Sequence, residues 1–168
     1  MKWIVYILCT ALMIASYFFD LEPLAVSRDS AFYTHITYMF VHRGIIHFAG
    51  NMIALYLLFR ACRRIGVVAP CTKSLVCAFL SSFFLTDGLT VGISGAVYAI
   101  LGMVLVYNKS KDYFEGLAIA VVVNAIVAVF GGGIGWTIHL SGFIFGYIIE
   151  LTWKRTILQK KNDSVLRR

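Results

Sequence analysis

The 168-residue chain is 60% hydrophobic and 14% charged, with a mean hydropathy of +0.84; soluble domains are nearer half apolar and a quarter charged, so a water-soluble fold is excluded, and disorder with it. Long apolar runs between short polar clusters describe an all-α, multi-pass membrane protein, in which about six spans of roughly 20 residues leave no room for a separate soluble domain. The net charge of +7 admits nucleic acid or anionic lipid as the partner, and the placement of the charges decides between them.

The first span runs from about Trp3 to Phe19 and is closed by Asp20, Glu22 and Pro23. Lys2 ahead of an apolar run resembles a secretion signal. No small-residue cleavage site precedes the polar stretch, so an uncleaved span is expected. The second span starts near Ile45 and ends at Arg60, Arg63 and Arg64; the third covers about Cys71 to Leu85, after a Pro70 suited to a helix start. The fourth runs from Ser94 to Tyr107, the fifth from Phe114 to Phe130 and the sixth from Thr137 to Trp153. Residues 1–153 thus form one six-span domain, and 154–168 a basic tail. Cys9, Cys62, Cys71 and Cys77 lack metal-type pairing and read as small buried hydrophobes.

With six spans, Lys2, Arg60, Arg63, Arg64, Lys73, Lys109, Lys111, Lys154, Arg155, Lys160, Lys161, Arg167 and Arg168 share one side, leaving Arg28 and Arg43 on the other. The positive-inside rule then places both termini in the cytoplasm, and the lipid bilayer, with no nucleic acid, accounts for the charge.

The fourth segment is short: 14 residues from Ser94 to Tyr107 give about 21 Å of helix, against about 30 Å of hydrocarbon. Its start is sunken, and the irregular stretch Asp87–Gly92 before it must be buried in protein or line a wet cavity.

Polar residues at this outer depth require a reason. They are His42, His47 and Asn51 at segment two, Ser94 on segment four and His139 on segment six. Alone, Ser94 reads as a small helix-packing residue. Between Gly92 and Gly95 at a helix start, it reads as a nucleophile whose own N–H can stabilise an oxyanion. His139 is the residue type of a general base. Gly142 and Gly146 share its face and let helices approach closely. Tyr98, one turn beyond Ser94, either packs as an ordinary aromatic or positions the imidazole. His47 and Asn51, four apart on one face, offer two donors to an oxyanion. Three histidines also admit zinc as a rival, but no His-Glu-x-x-His run or carboxylate base stands beside them. The loop Gly131-Gly132-Gly133-Ile134-Gly135 lacks the Lys-Ser/Thr of a phosphate loop and reads as a flexible lip or a tight turn.

Three stretches, His42-Arg43-Gly44-Ile45-Ile46-His47-Phe48-Ala49-Gly50-Asn51, Gly92-Ile93-Ser94-Gly95-Ala96-Val97-Tyr98 and His139-Leu140-Ser141-Gly142-Phe143-Ile144-Phe145-Gly146, resemble the rhomboid family of intramembrane serine proteases. The resemblance implies a six-helix rhomboid-type bundle with a short, sunken fourth helix. It implies Ser94 as nucleophile and His139 as base in a dyad without a carboxylate, with an oxyanion site from the Ser94 N–H, His47 and Asn51. His42 matches a supporting histidine of the first loop. It also implies single-pass membrane proteins as substrates and no cofactor or metal, in a bacterial-type inner membrane. The chain departs from the family pattern in lacking the Trp-Arg pair of a short first loop, in carrying Cys62 at about the place of a usual glutamate, and in having Ile138 where a small residue is usual. The rivals are a catalytically inactive relative that binds membrane clients, and a small transporter or channel, which would carry polar positions through the full depth of the membrane.

Overall fold

A computed structural model of the chain describes residues 2–84, 88–108, 110–111, 113, 115–116 and 135–166. All of the fifth predicted span except Glu115 and Gly116, and all of the Gly131–Gly135 loop except Gly135, lie outside these residues. Six α-helices are described: α1 (Lys2–Ala15), α2 (Thr34–Thr37), α3 (Ile45–Ile65), α4 (Pro70–Ser81), α5 (Ser94–Leu105) and α6 (Trp136–Leu166). Five of them fall on predicted spans, while α2 is a single turn within the first loop. Only α3 among the described residues is both long and apolar enough to cross a membrane by itself; Lys2–Ala15, Pro70–Phe84 and Ser94–Leu105 are shorter apolar helices.

The boundaries follow local chemistry. Gly66 takes the left-handed conformation that closes α3, and its N–H donates to the Cys62 carbonyl. Pro70 occupies the first turn of α4, where its missing N–H costs nothing. The sixth segment does not stop at Trp153: α6 continues through the charged stretch to Leu166, because Lys, Arg, Gln and Leu there all favour helix.

Helix α5 is the centre of the bundle. Nine of its 12 residues are buried, and α3, α4 and α6 all pack on it. The outside is apolar instead: Ile7, Phe18, Ile46, Ile53 and Ile148 are each more than half exposed. Such a surface suits lipid rather than water.

The contact between α5 and α6 is built from residues with little or no side chain. A Cβ on Gly142 would lie 2.5 Å from the Gly95 carbonyl oxygen, one on Gly146 would overlap the Ala99 carbonyl, and one on Gly102 would overlap the backbone of Phe143. Gly102 continues the small-residue face seven positions after Gly95, a repeat present in the sequence but absent from its expected site residues.

At the far end of α5 lies a buried ion pair. Lys73 on α4 donates to Glu150 on α6 at 2.6 Å, and the Tyr107 hydroxyl donates to the other carboxylate oxygen at 2.7 Å. The Lys73 ammonium also lies 4.6 Å from the Trp153 ring centroid. Lys73, which the sequence groups with the loop charges, is instead a buried partner: its side chain is 10% exposed and committed to Glu150.

Candidate functional site

Ser94 is the first residue of α5, where the opening N–H groups of a helix have no intrahelical acceptor. His139 lies one turn into α6. The close approach of the two helices leaves the His139 Nε2 at 2.7 Å from the Ser94 Oγ. The imidazole is buried and stacks on Tyr98, with ring centroids 4.4 Å apart and planes 14° from parallel. Trp136 meets the same ring edge-on at 6.3 Å. Among the described residues the buried His139 Nδ1 has no hydrogen-bond partner, and the contacts that orient the ring there are stacking ones rather than a carboxylate.

His47 and Asn51 reach the same place from α3. A Cβ built on Gly92 would lie 2.8 Å from the His47 Nε2 and 3.5 Å from the Asn51 Nδ2. Both side chains therefore converge on the backbone two residues before Ser94, and only a glycine leaves room for them. Gly92 has φ +111°, a conformation that L side chains rarely adopt. The Arg43 N–H donates to the His47 Nδ1 at 3.3 Å, which leaves the proton of the neutral ring on Nε2, the nitrogen facing Gly92. The Asn51 Nδ2 is buried without a partner among the described residues. Two side-chain donors thus stand unspent beside the helix start. His42 is buried behind them and meets His47 edge-on at 5.2 Å and Phe48 at 5.6 Å.

The irregular stretch before Ser94 is held by the first loop. Thr90 and Val26 exchange two backbone hydrogen bonds as an isolated antiparallel bridge. The Gly92 N–H donates to the Tyr38 carbonyl at 2.8 Å, and the Arg43 guanidinium donates to the Leu89 carbonyl at 2.7 Å. Arg43 serves twice, through its N–H on His47 and its side chain on Leu89. In the sequence a lone arginine before a span reads as a loop charge, which conceals both roles.

His35, the histidine omitted from the expected site residues, makes a second serine contact. Its Nδ1 lies 2.8 Å from the Ser82 Oγ, and Phe83 stacks on its ring at 4.2 Å. Burial pushes the His35 imidazole below its ordinary value, so the ring is neutral near pH 7. Ser82 donates its only hydroxyl proton to the Phe79 carbonyl at 2.5 Å. His35 must then be the donor in the pair, and a ring nitrogen that donates to a serine cannot take its proton. This contact ties the first loop to the end of α4; it is not poised as a nucleophile and base.

Among the described residues, no group of three or more His, Cys, Asp or Glu side chains stands close enough to hold a metal ion. The zinc alternative therefore has no donor set among them.

Residues 29–155 match the Rhomboid domain family. Among curated relatives, the chain is 29% identical to RHOMBOID-like protein 7 of Arabidopsis thaliana, over 68% of this chain and 40% of that protein. It is 29% identical to RHOMBOID-like protein 4 of the same plant, over 65% of this chain and 31% of that protein. It is 25% identical to Rhomboid protease GlpG of Haemophilus influenzae, over 75% of this chain and 72% of that protein. The chain thus spans less than half the length of the two plant relatives and about three quarters of the bacterial one.

Proposed function

Because this chain belongs to the rhomboid family of multi-pass membrane proteins, we propose that it is an intramembrane serine endopeptidase that cuts transmembrane segments of other membrane proteins through Ser94 and His139. The reading rests on the 2.7 Å contact between the Ser94 Oγ and the His139 Nε2, with two unspent donors beside it. In this mechanism the Ser94 Oγ attacks the scissile carbonyl while the His139 Nε2 takes its proton. The tetrahedral oxyanion accepts hydrogen bonds from the Ser94 N–H, the His47 Nε2–H and the Asn51 amide. His139 then gives its proton to the leaving amine, and a water deprotonated by the same ring releases the acyl-enzyme.

The same reading takes six spans with both termini in the cytoplasm of a bacterial-type inner membrane. Setting Lys73 aside as a buried partner leaves twelve basic residues on that side against Arg28 and Arg43, so the bias survives the correction.

Purified protein incubated with a single-span test substrate should produce two fragments. A fluorophosphonate probe should label it, and mass spectrometry should find the label on the peptide containing Ser94. Labelling at Ser82 instead would overturn Ser94 as the nucleophile, and no labelling with the substrate intact would leave the inactive, client-binding relative as the better account.

Asn51→Ala should lower kcat by about 10²- to 10³-fold with little change in KM, because its amide is engaged only once the oxyanion forms. An unchanged kcat would remove Asn51 from the oxyanion site. Gly142→Val should insert normally, since valine is lipid-compatible, yet cleave on the order of a hundredfold more slowly. Its Cβ meets a backbone carbonyl that cannot rotate away, so the helices must part and carry His139 from Ser94. Wild-type rates at matched amounts of folded protein would show that this glycine does not set the dyad distance.

A further inference from the structure

The end of α3 remote from Asn51 carries a concave basic feature that the proteolytic reading leaves unused. Lys2 on α1 and Arg60, Arg63 and Arg64 on α3 line a pocket of about 310 Å³, walled by aromatic rings that include Trp3 and Tyr56. Tyr56, Arg60 and Arg64 recur every four residues and so share one face of the helix. All four cations are exposed, and no carboxylate pairs with any of them among the described residues. The last turn of a helix attracts cations on its own account. That explains Arg63 and Arg64, but neither Arg60, a turn earlier, nor Lys2, contributed by another helix. Like charges gathered around one cavity repel each other unless an anion occupies it.

We propose that this pocket binds the phosphodiester headgroup of an anionic phospholipid. Guanidinium groups pair with phosphate oxygens through two parallel hydrogen bonds. Aromatic rings such as Trp3 and Tyr56 belong at headgroup level. About one turn further along each helix, Ile7 is 65% and Ile53 61% exposed, an apolar surface for the acyl chains that a free phosphate would not use. The site lies about 20 Å from His47 along α3, so its occupancy can be read without reference to cleavage.

The test is native mass spectrometry of the full chain released from detergent in the presence of phosphatidylglycerol or phosphatidylcholine of matched acyl chains. The wild type should retain one phosphatidylglycerol at concentrations where phosphatidylcholine is lost. Arg60→Gln/Arg64→Gln should weaken that retention by about 30-fold, since each basic side chain near an anionic headgroup contributes about fivefold. Arg155→Gln/Lys160→Gln, which removes two exposed charges outside the pocket, should leave it unchanged. Equal retention of the two lipids by the wild type would overturn the proposal whether or not the variants fold. So would undiminished phosphatidylglycerol retention by Arg60→Gln/Arg64→Gln, or an equal loss in Arg155→Gln/Lys160→Gln. Inorganic phosphate that displaces the lipid at equal concentration would reassign the pocket to a soluble anion and overturn the lipid assignment.

Discussion

Ser94→Ala should lower the cleavage rate by about 10⁴- to 10⁶-fold, and His139→Ala by a similar factor. The two groups form one chemical unit: without the base the hydroxyl keeps its proton, and without the hydroxyl the base has nothing to activate. The double variant should therefore be no slower than either single one, and a thermodynamic cycle should show strong coupling. Ser82→Ala is the matched control. It deletes a buried serine that also touches a histidine, but one whose proton is already given to Phe79, and it should cleave within about twofold of wild type. The measurement is the initial rate on a single-span test substrate at equal amounts of folded protein. Single losses that multiply in the double variant would mean that Ser94 and His139 act separately, and the dyad mechanism would fail.

Glu150→Leu should be the most damaging substitution for stability, costing about 3–5 kcal/mol. The carboxylate is completely enclosed and accepts from both Lys73 and Tyr107. Its removal strands the Lys73 ammonium in a low-dielectric interior, where the face of Trp153 is a weak substitute for a carboxylate. Lys73→Met/Glu150→Leu removes both charges and keeps the volume, so it should recover most of the loss. Unfolding in mild detergent, followed by loss of the monodisperse species on heating, reads both variants. A double variant as unstable as Glu150→Leu would mean that the cost lies in packing around residue 150 rather than in the stranded charge. The pair lies at the opposite end of α5 from Ser94, so the double variant should also keep its cleavage activity.

Much of this arrangement is legible in the sequence because membrane proteins carry few polar residues, and each stands out. Ser94, His139, His47 and Asn51 are conspicuous against apolar runs, and the glycines beside them announce close backbone approach. The exposed pattern of Ile46, Ile53 and Leu57 along α3 likewise follows from an apolar run read as a span. What the sequence conceals is pairing across distance. Lys73 at the start of α4 reads as an ordinary loop charge, and nothing near it in the chain reveals that Glu150 lies 2.6 Å away. His35 sits in a loop, where a histidine carries no signal. Arg43 is similar: its two contacts depend on where the chain folds back at Leu89 and His47. Helix ends were also hard to place, as in α6, where polar composition marks the edge of a span but not of a helix.

The glycine crossing between α5 and α6 has a kinematic consequence. Ordinary helix pairs slide by repacking side chains, which act as a compliant layer between two backbones. Here that layer is missing at Gly95, Gly102, Gly142 and Gly146, where peptide groups of one helix abut the other. A relative rotation or shift would drive carbonyl oxygens into α-carbons, so the two helices move as one body and hold Ser94 and His139 at fixed separation. Entry of the proposed polypeptide substrate would then be accommodated elsewhere. The opposite wall of the site is fastened through the Val26–Thr90 bridge and the bonds from Arg43 to Leu89 and from Gly92 to Tyr38. Hydrogen bonds of this kind can be released and remade one at a time, so in the proteolytic reading proposed above the yielding side is that of the first loop and α3, and the anvil that of α5 and α6.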